Sequence, residues 1–166
     1  MLKGLLPRVF ITWRNPLGED EGDFPVYLTP YSHYWDPSPG VKKSEFEIST
    51  GFDNQNSTIL KAGEPVRLIA SVKVKKDADY VMINISIPAG CSYGNKSQGL
   101  YYEVHREYFR NETAIFCENL STGDYEFTIE LIPRYSGTYT MNPAKVEMMY
   151  FPTFNANNSI RRVIIR

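Results

Sequence analysis

The stretch VHREYFRNETAIFCENL, residues 104 to 120, sets His105 and Cys117 twelve positions apart, with Glu107, Arg110 and Glu112 between them. A histidine that takes the proton of a cysteine makes a nucleophile for acyl transfer, provided the two side chains lie within hydrogen-bond reach. The residues around them predict the arms of a hairpin, 102–108 and 113–118. A two-residue loop at Arg110 and Asn111 sets Val104 opposite Cys117 and His105 opposite Phe116. Cross-strand partners share a face and neighbours along a strand do not. This register therefore sends Cys117 inward with Val104 and Ile115, and His105 outward with Glu103 and Glu107. The dyad is then excluded, and Cys117 behaves as a small buried hydrophobe. A three-residue loop would bring the pair face to face, so the register carries the decision.

The remaining chemistry-bearing residues are weaker. Cys91 follows Pro88 at a strand end, and a bridge to Cys117 requires Cα atoms within about 7 Å. A disulfide and two reduced thiols both stay open on the sequence. Glu19, Asp20, Glu21 and Asp23 offer oxygen ligands for calcium but lack alternate-residue spacing, so they read as a solvated turn. His33 has no second histidine or cysteine at zinc-ligand spacing. Tyr27, Tyr31, Tyr34 and Trp35 could stack on sugars or anchor a protein partner, but packing of the N-terminal segment on its domain is the preferred reading. Six N-x-Ser/Thr sequences start at Asn56, Asn84, Asn95, Asn111, Asn119 and Asn157, and chance suffices for them in a chain rich in Asn, Ser and Thr. No catalytic, cofactor-binding or metal-binding residue is assigned, and no cofactor is expected.

The elements that hold these residues alternate with a period of two. In EPVRLIASVKVKK, Val66, Leu68, Ala70, Val72 and Val74 share one face; Arg67, Ser71, Lys73 and Lys75 share the other, with Ile69 the exception. Val81, Ile83, Ile85 and Ile87 alternate likewise up to Pro88, as do Tyr125, Phe127, Ile129 and Leu131 up to Pro133. Gly63 and Gly123 mark turns before the first and third of these strands. Shorter strands are predicted at 44–49, 100–108, 113–118, 137–141, 144–151 and 160–166. Apolar residues at helical spacing are missing, although a short helical turn at 91–99 is allowed. The expected fold is an all-β, two-sheet antiparallel sandwich with at most one short helix. A boundary near Gly40 divides an N-terminal extension or connection, 1–40, from the sandwich, 41–166. Buried positions should include Val66, Leu68, Val72, Val81, Ile83, Ile85, Phe127, Ile129 and Leu131.

The bulk numbers narrow the partners. Hydrophobic residues make up 42% of the 166, enough for a real core. Eighteen Lys and Arg against 19 Asp and Glu give a net charge of −1, which is no case for nucleic acid. No apolar run approaches the roughly 18 residues of a membrane span. The opening MLKGLLPRVFITW, broken by Pro7 and Arg8, reads as a poor signal peptide.

From Ser44 onward an ordered series of segments stands out. LKAGEPVRLIASVKVKKDADYVMINISIPAGC carries a strand after a glycine turn and then a YVM…IPAG strand. There follow the HRE strand, an L-x-x-G-x-Y-x-F strand, a GTYT…PA turn and the strand from Ala144 to Tyr150. This series resembles the C-terminal macroglobulin-like domain of bacterial alpha-2-macroglobulin-like proteins, which corresponds to the receptor-binding domain of the animal proteins. The resemblance implies an antiparallel sandwich and a periplasmic or cell-surface location. In the family, a protease cuts a bait segment, the molecule rearranges, and an internal thioester in many members captures the attacker. Here Cys91 is followed by SYG and Cys117 by ENL, so the Cys-x-Glu-Gln thioester sequence is absent, and 166 residues leave no room for bait and thioester domains. The implied role is a non-catalytic domain of a protease-trapping protein. Its partners would be neighbouring domains of a longer chain or of a split-gene partner, and proteases only indirectly. The rival reading is a free-standing sandwich module for carbohydrate or a surface protein.

Overall fold

A computed structural model describes residues 40–41, 43–54, 58–96 and 101–166. These form twelve strands: β1 (Phe46–Phe52), β2 (Ile59–Leu60), β3 (Val66–Val74), β4 (Ala78–Ser86), β5 (Cys91–Tyr93), β6 (His105–Tyr108), β7 (Glu112–Leu120), β8 (Gly123–Pro133), β9 (Gly137–Met141), β10 (Lys145–Met148), β11 (Asn155–Asn157) and β12 (Arg161–Ile165). No helix occurs among the described residues.

One sheet runs β1-β3-β8-β5 and the facing sheet β11-β10-β4-β7-β6. Every pair within these two is antiparallel. A small third sheet, β2-β12-β9, adds one parallel pair, β2 with β12. The alternation read from sequence is the reason for the layering. In β3, Val66, Leu68, Ala70, Val72 and Val74 are buried while Arg67, Ser71 and Lys73 are exposed. All nine expected core residues are buried, and they meet Ile115, Cys117, Phe46 and Val146 between the sheets. Ile69 lies half-buried on the outer face, opposite Gly51 on one side and Thr128 on the other.

The differences are local. Strand β5 stands at the start of the 91–99 connection, where a helical turn was allowed. The predicted strand over 100–108 begins only at His105, because Tyr101 to Val104 turn. Strands β2 and β11, two and three residues long, are too short to leave a period in the sequence. Gly63 takes the left-handed backbone expected of it, at φ 83°, whereas Gly123 opens β8 without doing so. Gly90 answers a different need. A Cβ there would lie 2.4 Å from the Tyr139 ring and 2.8 Å from Ile165, so the turn after Pro88 packs its backbone directly onto β9 and β12.

Candidate functional site

The hairpin settles the cysteine first. His105 pairs with Phe116, Arg106 with Ile115, Glu107 with Ala114 and Tyr108 with Thr113, the register that a two-residue loop requires. Cys117 is buried among Ile115, Val81 and Phe127 in the core cluster, and His105 is exposed. The imidazole stacks on Phe116, with ring centres 5.9 Å apart, and its Nε2 lies 3.2 Å from Glu107 Oε1. Burial, with the Glu103 charge adding to it, pushes the Cys117 thiol up to about 12; burial alone pushes Cys91 to about 11. Both cysteines are free, so no disulfide forms. A thiol held neutral in an apolar interior is not a nucleophile. Cys117→Ala should therefore lower unfolding free energy by about 1–3 kcal/mol through lost packing, readable by urea denaturation. A thiol-directed probe should label Cys117 in unfolded protein and leave it unlabelled in the folded state.

Two neighbours of His105 do not lie where the alternation put them. Val104 is 65% exposed, and the Glu103 side chain is inside. Regular extended backbone starts only at His105, so the parity argument has no hold on 103 and 104. Glu103 instead turns in to Arg106, accepting from its Nε at 2.9 Å and also from its Nη2. Arg106 Nη1 reaches across the sandwich to the Thr128 carbonyl at 2.8 Å. The Tyr102 hydroxyl donates to the Glu126 carbonyl at 2.8 Å, and its ring meets Phe127 edge-on at 5.5 Å. Tyr102, Glu103 and Arg106 thus clasp edge strand β6 to β8 of the other sheet. Every charge in this clasp is satisfied, which marks it as architecture.

Among the described residues no group of three or more His, Cys, Asp or Glu could hold a metal ion. The acidic run 19–23, His33 and the aromatic residues 27 to 35 lie outside the described residues. Of the N-x-Ser/Thr asparagines, Asn119 donates to Asp79 and Asn157 to the Gly40 carbonyl, ordinary surface bonds.

The surface feature with functional character is apolar. Met149, Tyr150, Phe151 and Phe154 cluster in the turn between β10 and β11, beside Tyr80 of β4, and each is between 42% and 68% exposed. The turn is built locally: Phe151 N–H donates to the Met148 carbonyl and Phe154 N–H to Phe151. Met149 N–H donates to the Tyr80 carbonyl at 2.8 Å, which ties the turn to β4. Tyr80 takes φ 52°, a left-handed backbone costing a non-glycine residue about 1–2 kcal/mol. The strain interrupts β4 alternation, so that Asp79 and Tyr80 are both exposed between buried Ala78 and Val81. It turns the tyrosine ring out to meet Tyr150 edge-on at 5.2 Å. Next to these rings, Glu45, Lys76, Asp77, Ala78, Met148 and Phe154 line a hollow of about 140 Å³. Projecting rings beside a hollow, held by strained backbone, have the form of a docking surface. Sequence reasoning missed it because Ala144 to Tyr150 reads as one strand. The usable signal is MMYFPTF, where large apolar residues continue past Tyr150 and through Pro152.

A family model matches most of the chain. Residues 40–153 match the model described as the bacterial alpha-2-macroglobulin MG10 domain. No curated protein matches the chain. Among solved structures, the chain is similar to Salmonella alpha-2-macroglobulin reacted with methylamine, at 18% identity and a TM-score of 0.69 over 80% of this chain and 10% of that one. It is similar to native Escherichia coli alpha-2-macroglobulin spanning domain MG7 to the C-terminus, at 17% identity and a TM-score of 0.66 over 77% of this chain and 24% of that one. It thus spans about a tenth to a quarter of the structures it matches. The chain belongs to the bacterial alpha-2-macroglobulin MG10 domain family.

Proposed function

We propose that this chain acts as the non-catalytic, C-terminal contact domain of a bacterial alpha-2-macroglobulin-like protease-trapping protein, in the periplasm or at the cell surface. Its aromatic face around Tyr150 docks on a neighbouring macroglobulin domain of the same chain or of a split-gene partner. The observation that carries this reading is the strained, outward Tyr80 beside Tyr150, Phe151 and Phe154, an apolar surface that a monomer gains nothing by exposing. Family membership supplies the kind of partner, because the solved structures it resembles are about four to ten times longer than the region matched. The outer face of β3 is a poorer candidate: Arg67 pairs with Asp53 at 2.9 Å and Lys75 with Glu47 at 3.0 Å, a charged face content in water. The geometry also disfavours a sugar platform, since Tyr80 and Tyr150 stand at 81° and present no common plane.

Two expected results follow for the isolated chain. Incubated with serine, cysteine and metalloproteases, it should leave their activity on a large protein substrate unchanged; stoichiometric inhibition of any of them would contradict the reading. Tyr80→Asn, which suits left-handed backbone better, should be at least as stable as the parent in thermal unfolding, while its affinity for an adjoining macroglobulin domain falls. A clear loss of stability would mean that the tyrosine ring serves the fold.

A further inference from the structure

We infer a second recognition site, independent of the aromatic face, that takes an extended acidic polypeptide strand. Strand β5 is the free edge of one sheet and β6 the free edge of the other. Where their ends approach, a groove of about 500 Å³ opens between β5 and the β6–β7 turn, walled by Tyr93, Tyr108 and Phe109 and carrying Lys96 and Arg110. Ile87, just past the C-terminal end of β4, lines it, and Tyr80 is near the other end of that strand; seven residues at about 3.3 Å each put roughly 23 Å between the two sites.

The groove lining carries two cations and no carboxylate, with Glu112 and Glu130 just behind it. Lys96 Nζ sits 5.4 Å from the ring centre of Tyr93 and 5.7 Å from that of Tyr108, held by aromatic faces in place of a carboxylate. Neither Lys96 nor Arg110 has an ion pair among the described residues. Arg134, outside the lining, donates from Nε to Ser92 Oγ at 2.9 Å. The tyrosine wall is fixed in place. Tyr93 donates its hydroxyl proton to the Glu112 carbonyl at 2.7 Å, accepts from Thr113 at 3.1 Å, and meets Tyr108 edge-on at 4.9 Å. Lys96, already seated over a fixed wall, loses little freedom on binding.

Charge alone would suit any anion; the backbone selects a peptide. Strand β5 pairs with β8 along one side, Cys91 to Pro133 through Tyr93 to Leu131, and no described strand covers the other side. The Cys91 N–H already bonds the Pro88 carbonyl and the Asn95 N–H the Glu130 carboxylate, so the backbone of Tyr93 between them is what a peptide would meet. An incoming strand can add to that edge, and its alternate side chains then share one face. Acidic residues at every second position would meet Lys96 and Arg110 together, and the residues between them would face away.

The probe is a blocked hexapeptide, Thr-Glu-Val-Glu-Thr-Glu, titrated into the isotope-labelled full chain and followed by amide chemical shifts. Saturable shifts confined to 91–96 and 105–111 are expected, weakening as salt rises. The doubly charge-reversed variant Lys96→Glu, Arg110→Glu should bind about tenfold more weakly or worse, by loss and reversal of surface charge pairs. Both residues are exposed, so its melting temperature should match the parent and exclude a folding artefact. A peptide with Lys at the Glu positions should not bind. The inference fails if no saturable shift occurs, or if the shifts fall elsewhere. It also fails if inorganic phosphate or phosphatidylglycerol vesicles displace the peptide from the same residues at lower concentration, which would make the groove a phosphate or membrane site.

Discussion

Glu103→Ala should lower the free energy of unfolding by about 3–5 kcal/mol, a large fraction of what a domain of this size has to lose. The side chains of Glu103 and Arg106 are 1% and 3% exposed. Burial works against the Arg106 charge, and the Glu103 hydrogen bonds and charge outweigh it, so the guanidinium stays ionised with its pKa raised. Removing the carboxylate strands that cation between the sheets with the Thr128 carbonyl and the Tyr108 hydroxyl as partners, neither of which carries a compensating charge. The control separates the cost of breaking the pair from the worth of having it. In Glu103→Met with Arg106→Met, both charges leave together and similar volume remains, so stability should lie within about 1–2 kcal/mol of the parent, on either side. Urea unfolding of the three proteins decides it. A single mutant as stable as the double would mean that water reaches the clasp.

Phe127→Ala should cost about 3–5 kcal/mol, by lost burial and by the cavity left behind. Phe127 is fully buried at the centre of β8, and its register partner in β3 is Ala70, a small residue that cannot expand to fill the gap. The loss also reaches the clasp, because Tyr102 rests edge-on against this ring. Phe127→Leu keeps most of the volume and should cost less than about 1.5 kcal/mol. Equal losses for the two variants would show that ring geometry against Tyr102, and not volume, holds the seam.

How far these features could be read from the sequence depends on the length of the element that carries them. Strands β3, β4 and β8 run nine to eleven residues, long enough for a period of two to declare itself, and their inward residues are the core. The β6–β7 register followed from one assumption about loop length, and with it the inward Cys117 and outward His105. Parity does not extend two residues earlier. A turn precedes β6, so parity placed Val104 inside and Glu103 outside when each lies the other way. A buried Arg106 could not be inferred from residue type, since charged residues are seldom buried unless paired, and its partner sits in that irregular turn. The aromatic face was hidden for a related reason: its residues come from a turn and from a strand position whose left-handed backbone no pattern announces.

The surface around Tyr150, proposed to dock on an adjoining macroglobulin domain, should lose access to water on assembly. Amide hydrogen exchange distinguishes the outcomes, comparing the chain alone with the same chain fused to, or mixed with, a candidate adjoining macroglobulin domain. Slower exchange is predicted at 148–154 and 79–82, with the long strands β3 and β7 unchanged. Tyr150→Ser with Phe151→Ser, two exposed positions, should abolish that protection without altering the melting temperature. Identical exchange at 148–154 in the two states, with protection appearing on the outer face of β3 or nowhere, would contradict it.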